Sequence, residues 1–488
     1  MAKPITALLF GAGSRGAEAY GPYALIHPNQ LKFVGVAEPN RGRRERFAAM
    51  HDIPAANSFD SWRHALDRGK MADVVINCTQ DQMHPESSIA ALEAGYDMLL
   101  EKPIANTLVG SISIVQSAEK HDRYLQICHV LRYTDLFKKV HELLRSGRLG
   151  QVITISHREN VSAWHMAHSY VRGNWRREER SSPMILAKCC HDLDLLVWFT
   201  GKLPIKLSSH GSLSHFTPEN APPGAPERCT DGCPVEATCP FYAPAIYIDL
   251  MPFKQAVSQT SNPLYRLAGN ISIKSPQLIN MLAQLIPQVR ELKEFSGWPR
   301  SVICDDPGSE NALMKALQEG LYGRCVYHCD NDVVDHQVVA IEFEDGITAS
   351  LTMHGHSHEE GRTLRIDGSK ASLLAKFGFS RSYIEIHDHR SREVERMDFP
   401  SNVEKVGHGG GDTGIMEHFV RAMRGAARPS GGARESLESH LMAFAAEESR
   451  HNQVVVDMAN FKARAEQQAL DTKLIMDGDN YHGRTQPG

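Results

Sequence analysis

The stretch ITALLFGAGSRGAEAYGPYALIHPNQLKFVGVAEPN, residues 5–40, decides the fold. Thr6–Phe10 is a short apolar run ending in glycine, the pattern of a strand buried in a parallel sheet. Gly11, Gly13 and Gly16 follow as G-x-G-x-x-G, and a helix is expected over Ala17–Leu25. A second apolar run, Phe33–Ala37, closes on Glu38, about 20 residues past the last glycine, as a dinucleotide-binding turn requires. Each part has a physical reason. Gly11 permits the tight turn, Gly13 lets the backbone approach a pyrophosphate, and Gly16 lets helix and strand pack closely. The helix start offers free N–H groups and a positive dipole end to phosphate. Glu38 would accept hydrogen bonds from ribose hydroxyls and repel a 2′-phosphate. The stretch therefore implies NAD over NADP, a preference that Arg41, Arg43 and Arg44 weaken. Cofactor contacts are expected at Gly11, Gly13, Ser14, Arg15, Gly16 and Glu38.

Working outward, the alternation continues. Arg43–Met50 reads as helix, Val74–Cys78 as strand, Ser87–Ala94 as helix, and Met98–Leu100 as a strand running into Glu101-Lys102-Pro103. Strands separated by helices of this length imply an α/β chain with a doubly wound parallel sheet and right-handed crossovers. Ligands bind such sheets at the carboxyl ends of the strands, which places Thr79, His84 and Glu101 along the cofactor cleft. Tyr124–Val130 reads as the last strand of this unit, followed by Arg132-Tyr133 and an amphipathic helix from about Leu136 to Leu144. A strand-rich region then opens at Gln151–His157. The expected division is residues 1–133, residues 134–460 with an insertion at about 215–300, and a polar tail, 461–488, with a mobile end at Asp477–Gly488.

Composition limits the alternatives. The 488 residues are 42% hydrophobic and 23% charged, with a net charge of −5, which excludes neither a sizeable core nor a small-molecule site but gives no footprint for nucleic acid or an anionic membrane. No apolar run approaches the ~18–20 residues of a membrane span. The first apolar run leads into the glycine turn without a small-residue cleavage site, so it reads as structure and not as a signal peptide. Ten cysteines in a chain this long read as reduced thiols of a cytoplasmic protein.

The segment ADVVINCTQDQMHPESSIAALEAGYDMLLEKPIA, residues 72–105, resembles the glucose–fructose oxidoreductase, inositol dehydrogenase and MocA family: a strand, a turn, a histidine, an Ala-Gly helix end and Glu-Lys-Pro. Gln80 departs from it, standing where the family usually has proline. The resemblance implies that Lys102 lies beside nicotinamide and hydrogen-bonds the reacting hydroxyl, where a fixed ammonium stabilises a developing alkoxide. It also implies a second, α+β domain with an open, mostly antiparallel sheet that closes the site and often supports homo-oligomer contacts. In SSPMILAKCCHDLDLLVWFTG, residues 181–201, His191 matches the family's substrate histidine, but Ala187 stands where an aspartate is usual. On a helix Lys188, His191 and Asp192 would share a face. His191 is the candidate general base, with Asp192 or Asp194 orienting it.

His165, His168, Tyr170, Arg172, Asn174 and Trp175 mix hydrogen-bonding groups with aromatic faces, as pockets for a carbohydrate do. Arg132, Tyr133, Asp335, His336 and His408 are further candidate substrate contacts. Cys229, Cys233 and Cys239, spaced C-x3-C-x5-C, could hold a structural zinc with a fourth ligand from Cys304, Cys325 or Cys329. Three readings stay open: an NAD-dependent sugar or polyol dehydrogenase, a redox-neutral NAD-dependent glycosidase, and a non-catalytic NAD-binding regulator.

Overall fold

Six short strands form the first sheet of the computed structural model, which describes residues 3–260, 262–400, 406–425 and 432–482. They are β1 (Ile5–Phe10), β2 (Leu31–Ala37), β3 (Ser58–Phe59), β4 (Val74–Asn77), β5 (Asp97–Leu100) and β6 (Leu125–Ile127). All neighbours are parallel, in the order β3-β2-β1-β4-β5-β6, the doubly wound dinucleotide-binding arrangement. Their apolar side chains are buried on both faces, which explains runs such as Ala7–Phe10 and Val74–Ile76 without alternation.

The first helix differs from expectation. It comes as two pieces, a wide π-type turn over Ser14–Tyr20 and a helix over Gly21–Ile26. The Gly21 N–H reaches back to Gly16 O, five residues earlier. Pro22 has no N–H with which to continue a regular ladder across the junction. The last strand is shorter than expected because Val130–Tyr133 already turns.

The second sheet has nine strands. These are β7 (Val152–Ser162), β8 (Pro204–Ser212), β9 (His336–Phe343), β10 (Thr348–Ser357), β11 (Gly361–Gly368), β12 (Ala371–Gly378), β13 (Ser382–Asp388), β14 (Val394–Phe399) and β15 (Val456–Asp457). Their order is β14-β13-β12-β11-β7-β10-β9-β8-β15. Every pair is antiparallel except β7 with β10. The helices Cys190–Thr200 and Gly432–Asn452 pack against each other, and the latter also packs on β8.

The chain does not divide at one boundary. Helix Gly411–Met423 returns to the first sheet, where Ile415, Met416, Phe419 and Val420 join a core with Leu9, Val74 and Ile76. Gly411 is required there, since a Cβ would stand 2.4 Å from Val130 O. The expected polar tail is largely a helix, Met458–His482, with Phe461, Ala465 and Ala469 buried and a docking face on helix Leu108–Lys120. Residues 483–488 lie outside the described residues.

The insertion fills everything between β8 and β9. Its first part, residues 213–242, has no regular structure beyond the short turn Pro218–Asn220 and a single antiparallel bridge of Arg228 with Arg324. Short helices follow, and the helix expected over 277–294 is two, Ile279–Leu285 and Pro287–Lys293, broken where Pro287 removes a donor.

Candidate active site

The glycine turn is built as its spacing demands. Gly11 has φ +85°, and a Cβ there would lie 2.4 Å from Cys78 O at the end of β4. A Cβ on Gly16 would strike Gly11 O at 2.1 Å. Gly13 has no other atom within 4 Å of its missing Cβ, so its backbone faces open space. Glu38 is buried at the end of β2, where it accepts from Ala12 N at 2.8 Å and Asn40 N at 2.9 Å. An open backbone cradle with a fixed carboxylate at the next strand end fits the diphosphate and ribose of a dinucleotide.

Arg15 does not face that cradle. Its Nε donates to Glu101 Oε1 at 2.6 Å, and its other nitrogens reach Tyr20 Oη at 2.6 Å and Asp412 at 2.8 Å. Glu101 is accordingly a hub: it also accepts from Tyr20 Oη at 2.5 Å and from Lys102 N at 2.9 Å. Burial alone would raise its pKa, but Arg15 and Lys102 outweigh it and hold the carboxyl below its ordinary value. Thr79 donates to Asn77 Oδ1, and His84 bridges the two loops, with Nδ1 2.8 Å from Pro103 O and Nε2 3.1 Å from Thr79 O. Arg15, Glu101 and His84 therefore fix the backbone that presents Lys102.

The Lys102 ammonium donates to the main-chain oxygen of Ala187 at 2.7 Å. It makes no ion pair among the described residues. The chain thus meets the lysine with a neutral carbonyl at the position where the resemblance led us to expect a carboxylate. His191 stands next to it, buried, with Nδ1 lacking any hydrogen-bond partner. Burial first, then the charge of Lys102 and the neighbouring His129, push its pKa well below the usual histidine value, so the ring is neutral. Rings continue on either side: His440, His129, His191 and His408 follow one another at centroid spacings of 5.6, 5.7 and 6.3 Å. His408 is exposed and leans on Asp412 at 3.2 Å, which brings this late residue to the site's edge.

Lys188, His191 and Asp192 do not share a face, because Lys188 ends one helical turn and Cys190 begins the next helix. Asp192 turns into the protein, accepting from His157 Nε2 at 2.6 Å and Arg362 Nε at 2.8 Å. Asp194 binds Arg132 through both oxygens at 2.6 and 2.7 Å. Neither orients His191. Lys188 contacts Glu360 at 2.9 Å and Glu159 at 3.4 Å, and Arg362 approaches Glu159 at 2.7 Å. Burial pushes the Glu159 carboxyl up to about 7 against the pull of Arg362 and Lys188. Burial opposes ionisation of Glu360 too, but His165, 2.9 Å away, and Lys188 hold it well below the usual range. Glu159 and Glu360 escaped the assignment of roles from sequence, and His165, read there as one of a carbohydrate-contact cluster, is engaged by Glu360. The crowded HGHSHEEG, residues 354–361, was the available signal for Glu360.

The remaining candidates scatter. Tyr170 is buried in the electrostatic reach of Lys188, and Trp175 donates to Asp81, two residues past Thr79, so both line the wall between the lobes. Arg132 ties Asp194 to Glu435, and Tyr133 accepts from Gln126 and packs on helix Gly411–Met423, both inside the lobe contact. His168 bonds Tyr247 Oη at 2.9 Å and stacks on Tyr322, within the insertion. Asp335 is buried and accepts from Ser214 N, His215 N and His336 Nδ1, pinning the loop after β8. Arg172 is buried against Phe241 O and Arg324 O, beside Cys229. A cavity of about 460 Å³, with Glu360, Phe253 and Ser162 in its walls, opens next to the Lys188 network.

Comparison with known proteins agrees with this architecture. Residues 5–129 match the oxidoreductase family with an NAD-binding Rossmann fold, and residues 137–233 match the GFO/IDH/MocA C-terminal domain. The chain belongs to the Gfo/Idh/MocA family. It is 21% identical to the YteT protein of Bacillus subtilis (strain 168) over 398 residues, 78% of this chain and 79% of that protein. It is 26% identical to inositol 2-dehydrogenase of Corynebacterium glutamicum over 222 residues, 44% of this chain and 61% of that enzyme. An Agrobacterium radiobacter oxidoreductase, solved with NAD+, L-tartaric acid and magnesium, superposes with a TM-score of 0.61 at 13% identity, covering 94% of this chain and 99% of that one. No described helix is long and apolar enough to cross a membrane.

Proposed function

We propose that this family member moves a hydride between NAD and a hydroxyl-bearing carbon of a sugar, sugar acid or cyclic polyol. One observation carries the reading: at the carboxyl edge of the first sheet, an ammonium without a carboxylate partner stands beside a buried neutral imidazole. When bound, the nicotinamide supplies the hydride acceptor. The chain supplies the rest. Lys102 would donate to the reacting oxygen, and its uncompensated charge favours the alkoxide as the C–H bond breaks. The imidazole of His191, kept neutral, would take the hydroxyl proton. Gly11, Gly13, Ser14 and Gly16 hold the phosphates on main-chain N–H groups. Glu38, with both oxygens directed by backbone amides, would hold the ribose and favour NAD over NADP.

The same machinery serves a redox-neutral cleavage if the hydride is returned after elimination. Ala187, in place of a carboxylate that could assist a net oxidation, is the residue that keeps this second reading in play. Incubating the protein with NAD and a panel of polyols and aryl glycosides separates the two. Stoichiometric NADH supports net oxidation. Aglycone release without NADH supports the second reading. Neither product from any substrate, with NAD still bound, would reject an enzyme of either kind in favour of an NAD-binding regulator.

A further inference from the structure

The thiols of the insertion converge. Cys229, Cys233 and Cys239, from the segment with little regular structure, and Cys325, some 90 residues later, line a single small pocket. All four are free thiols. The fifth nearby cysteine, Cys329, is not in the pocket wall and its Sγ lies 3.2 Å from Cys325 O.

The second observation is Arg172. It lines the same pocket, is 1% exposed, and makes no ion pair with a carboxylate among the described residues. Its Nη2 is 3.5 Å from Cys229 Sγ, and its Nη1 is buried without a hydrogen-bond partner. A buried guanidinium with no counter-charge is costly by several kcal/mol. Four neutral thiols do not offset that charge. Four thiolates on a metal centre do.

The spacing selects the kind of centre. Among the described residues, Glu178, Glu447 and His451 are the one group of three ligand atoms within 4.8 Å of one another, so no three of these sulfurs are that close. One zinc with Zn–S near 2.3 Å would set its thiolates about 3.8 Å apart. The single structural zinc expected from the cysteine spacing therefore does not fit these positions. Thiolates that each hold a different corner of a cluster stand farther apart.

We propose that Cys229, Cys233, Cys239 and Cys325 ligate a 4Fe–4S cluster, with Arg172 donating to its sulfurs. Each thiol loses one proton on ligation, and a core of two ferric and two ferrous irons with four sulfides binds without a change in oxidation state. The thiolate-bound cluster is a dianion, the charge that Arg172 lacks. The role is architectural. A segment of 30 residues, 213–242, held by little regular structure gains a staple. Arg172 in turn ends the turn Ala167–Arg172 that carries Tyr170 to the Lys188 side of the cleft.

The test uses the full chain, purified without oxygen and reconstituted with ferric iron, sulfide and a thiol reductant. The expected result is close to four irons and four sulfides per chain, with a broad visible absorption that dithionite bleaches. Cys233→Ser and Cys325→Ser should lose it, and Cys329→Ser and Cys304→Ser should keep it. In the wild-type chain, where no variant has to fold, the four ligands should resist alkylation while Cys304 reacts. Stoichiometric zinc with no sulfide, no metal after reconstitution, or equal alkylation of all five cysteines would overturn the assignment.

Discussion

The two lysines at the cleft are held in opposite ways. Lys102 bonds one neutral carbonyl, that of Ala187, on the wall made by the parallel sheet. Lys188, on the wall made by the second sheet, lies between the carboxylates of Glu360 and Glu159. Adjacent positions in one segment, Ala187 and Lys188, thus serve both. The contrast separates chemistry from architecture. A cation whose partner is a dipole keeps most of its field for whatever anion forms beside it, whereas a cation between two carboxylates is already neutralised.

The comparison breaks most readily at Lys102. Lys102→Ala should lower kcat/KM by roughly 100- to 1000-fold, the scale for removing one transition-state donor, while NAD affinity measured by fluorescence titration changes little. An equal loss from Lys188→Met, with unaltered stability, would show that both lysines act in the chemistry. The expected effect of Lys188→Met is instead on folding. It leaves Glu159 and Glu360 without their shared cation, which should cost about 3–5 kcal/mol in denaturant unfolding, and Glu360→Gln in the same chain should restore part of it.

A smaller effect lies in pH. His129, His191 and His440 are buried neutral, with His440 pushed down to about 3, chiefly by burial. In the unfolded chain the same imidazoles take up protons near pH 6.5. Their contribution to stability is therefore complete above about pH 6.5 and drains away as pH falls below it. Glu159 has the opposite sign. Its carboxyl is raised to about 7, so its contribution is full at acid pH and is lost as pH rises through 7. Thermal unfolding across pH 4 to 9 should show the acid loss in both the wild type and Glu159→Gln, steeper in the variant, which lacks the opposing change of the Glu159 carboxyl between about pH 4.5 and 7. The smallest change is at Glu38: Glu38→Gln should weaken NAD by about tenfold, the scale of one charge-assisted hydrogen bond, and narrow the gap to NADP.

What could be read in advance follows how local each signal is. The glycine turn and Glu38 are set by main-chain geometry within one strand–turn–helix–strand unit, so their spacing was enough to expect them, whereas Lys102 and His191 were picked out by the family resemblance and lie on separate elements. Asp192 looked like a first-turn acid beside His191, but its partners His157 and Arg362 lie 35 and 170 positions away. Arg172 looked like a sugar contact because it follows Tyr170, yet its side chain turns toward a thiol pocket assembled from residues 57 and more positions on. Charged groups whose partners arrive from another strand or from the insertion carry no periodicity. Only the assembled sheet says which carboxylate meets which cation.

The return of helix Gly411–Met423 to the first sheet bears on how the protein is made. Ile415, Met416, Phe419, Val420 and Ala422 complete a hydrophobic cluster whose other buried members end at Val130. A ribosome adding ~5–20 residues per second delivers those side chains roughly 15–60 s after β6 has emerged. For that interval the nucleotide-binding lobe exposes an apolar face to water or to a chaperone. Released fragments that stop short of residue 411 should accordingly be insoluble, even though they contain every strand of the first sheet.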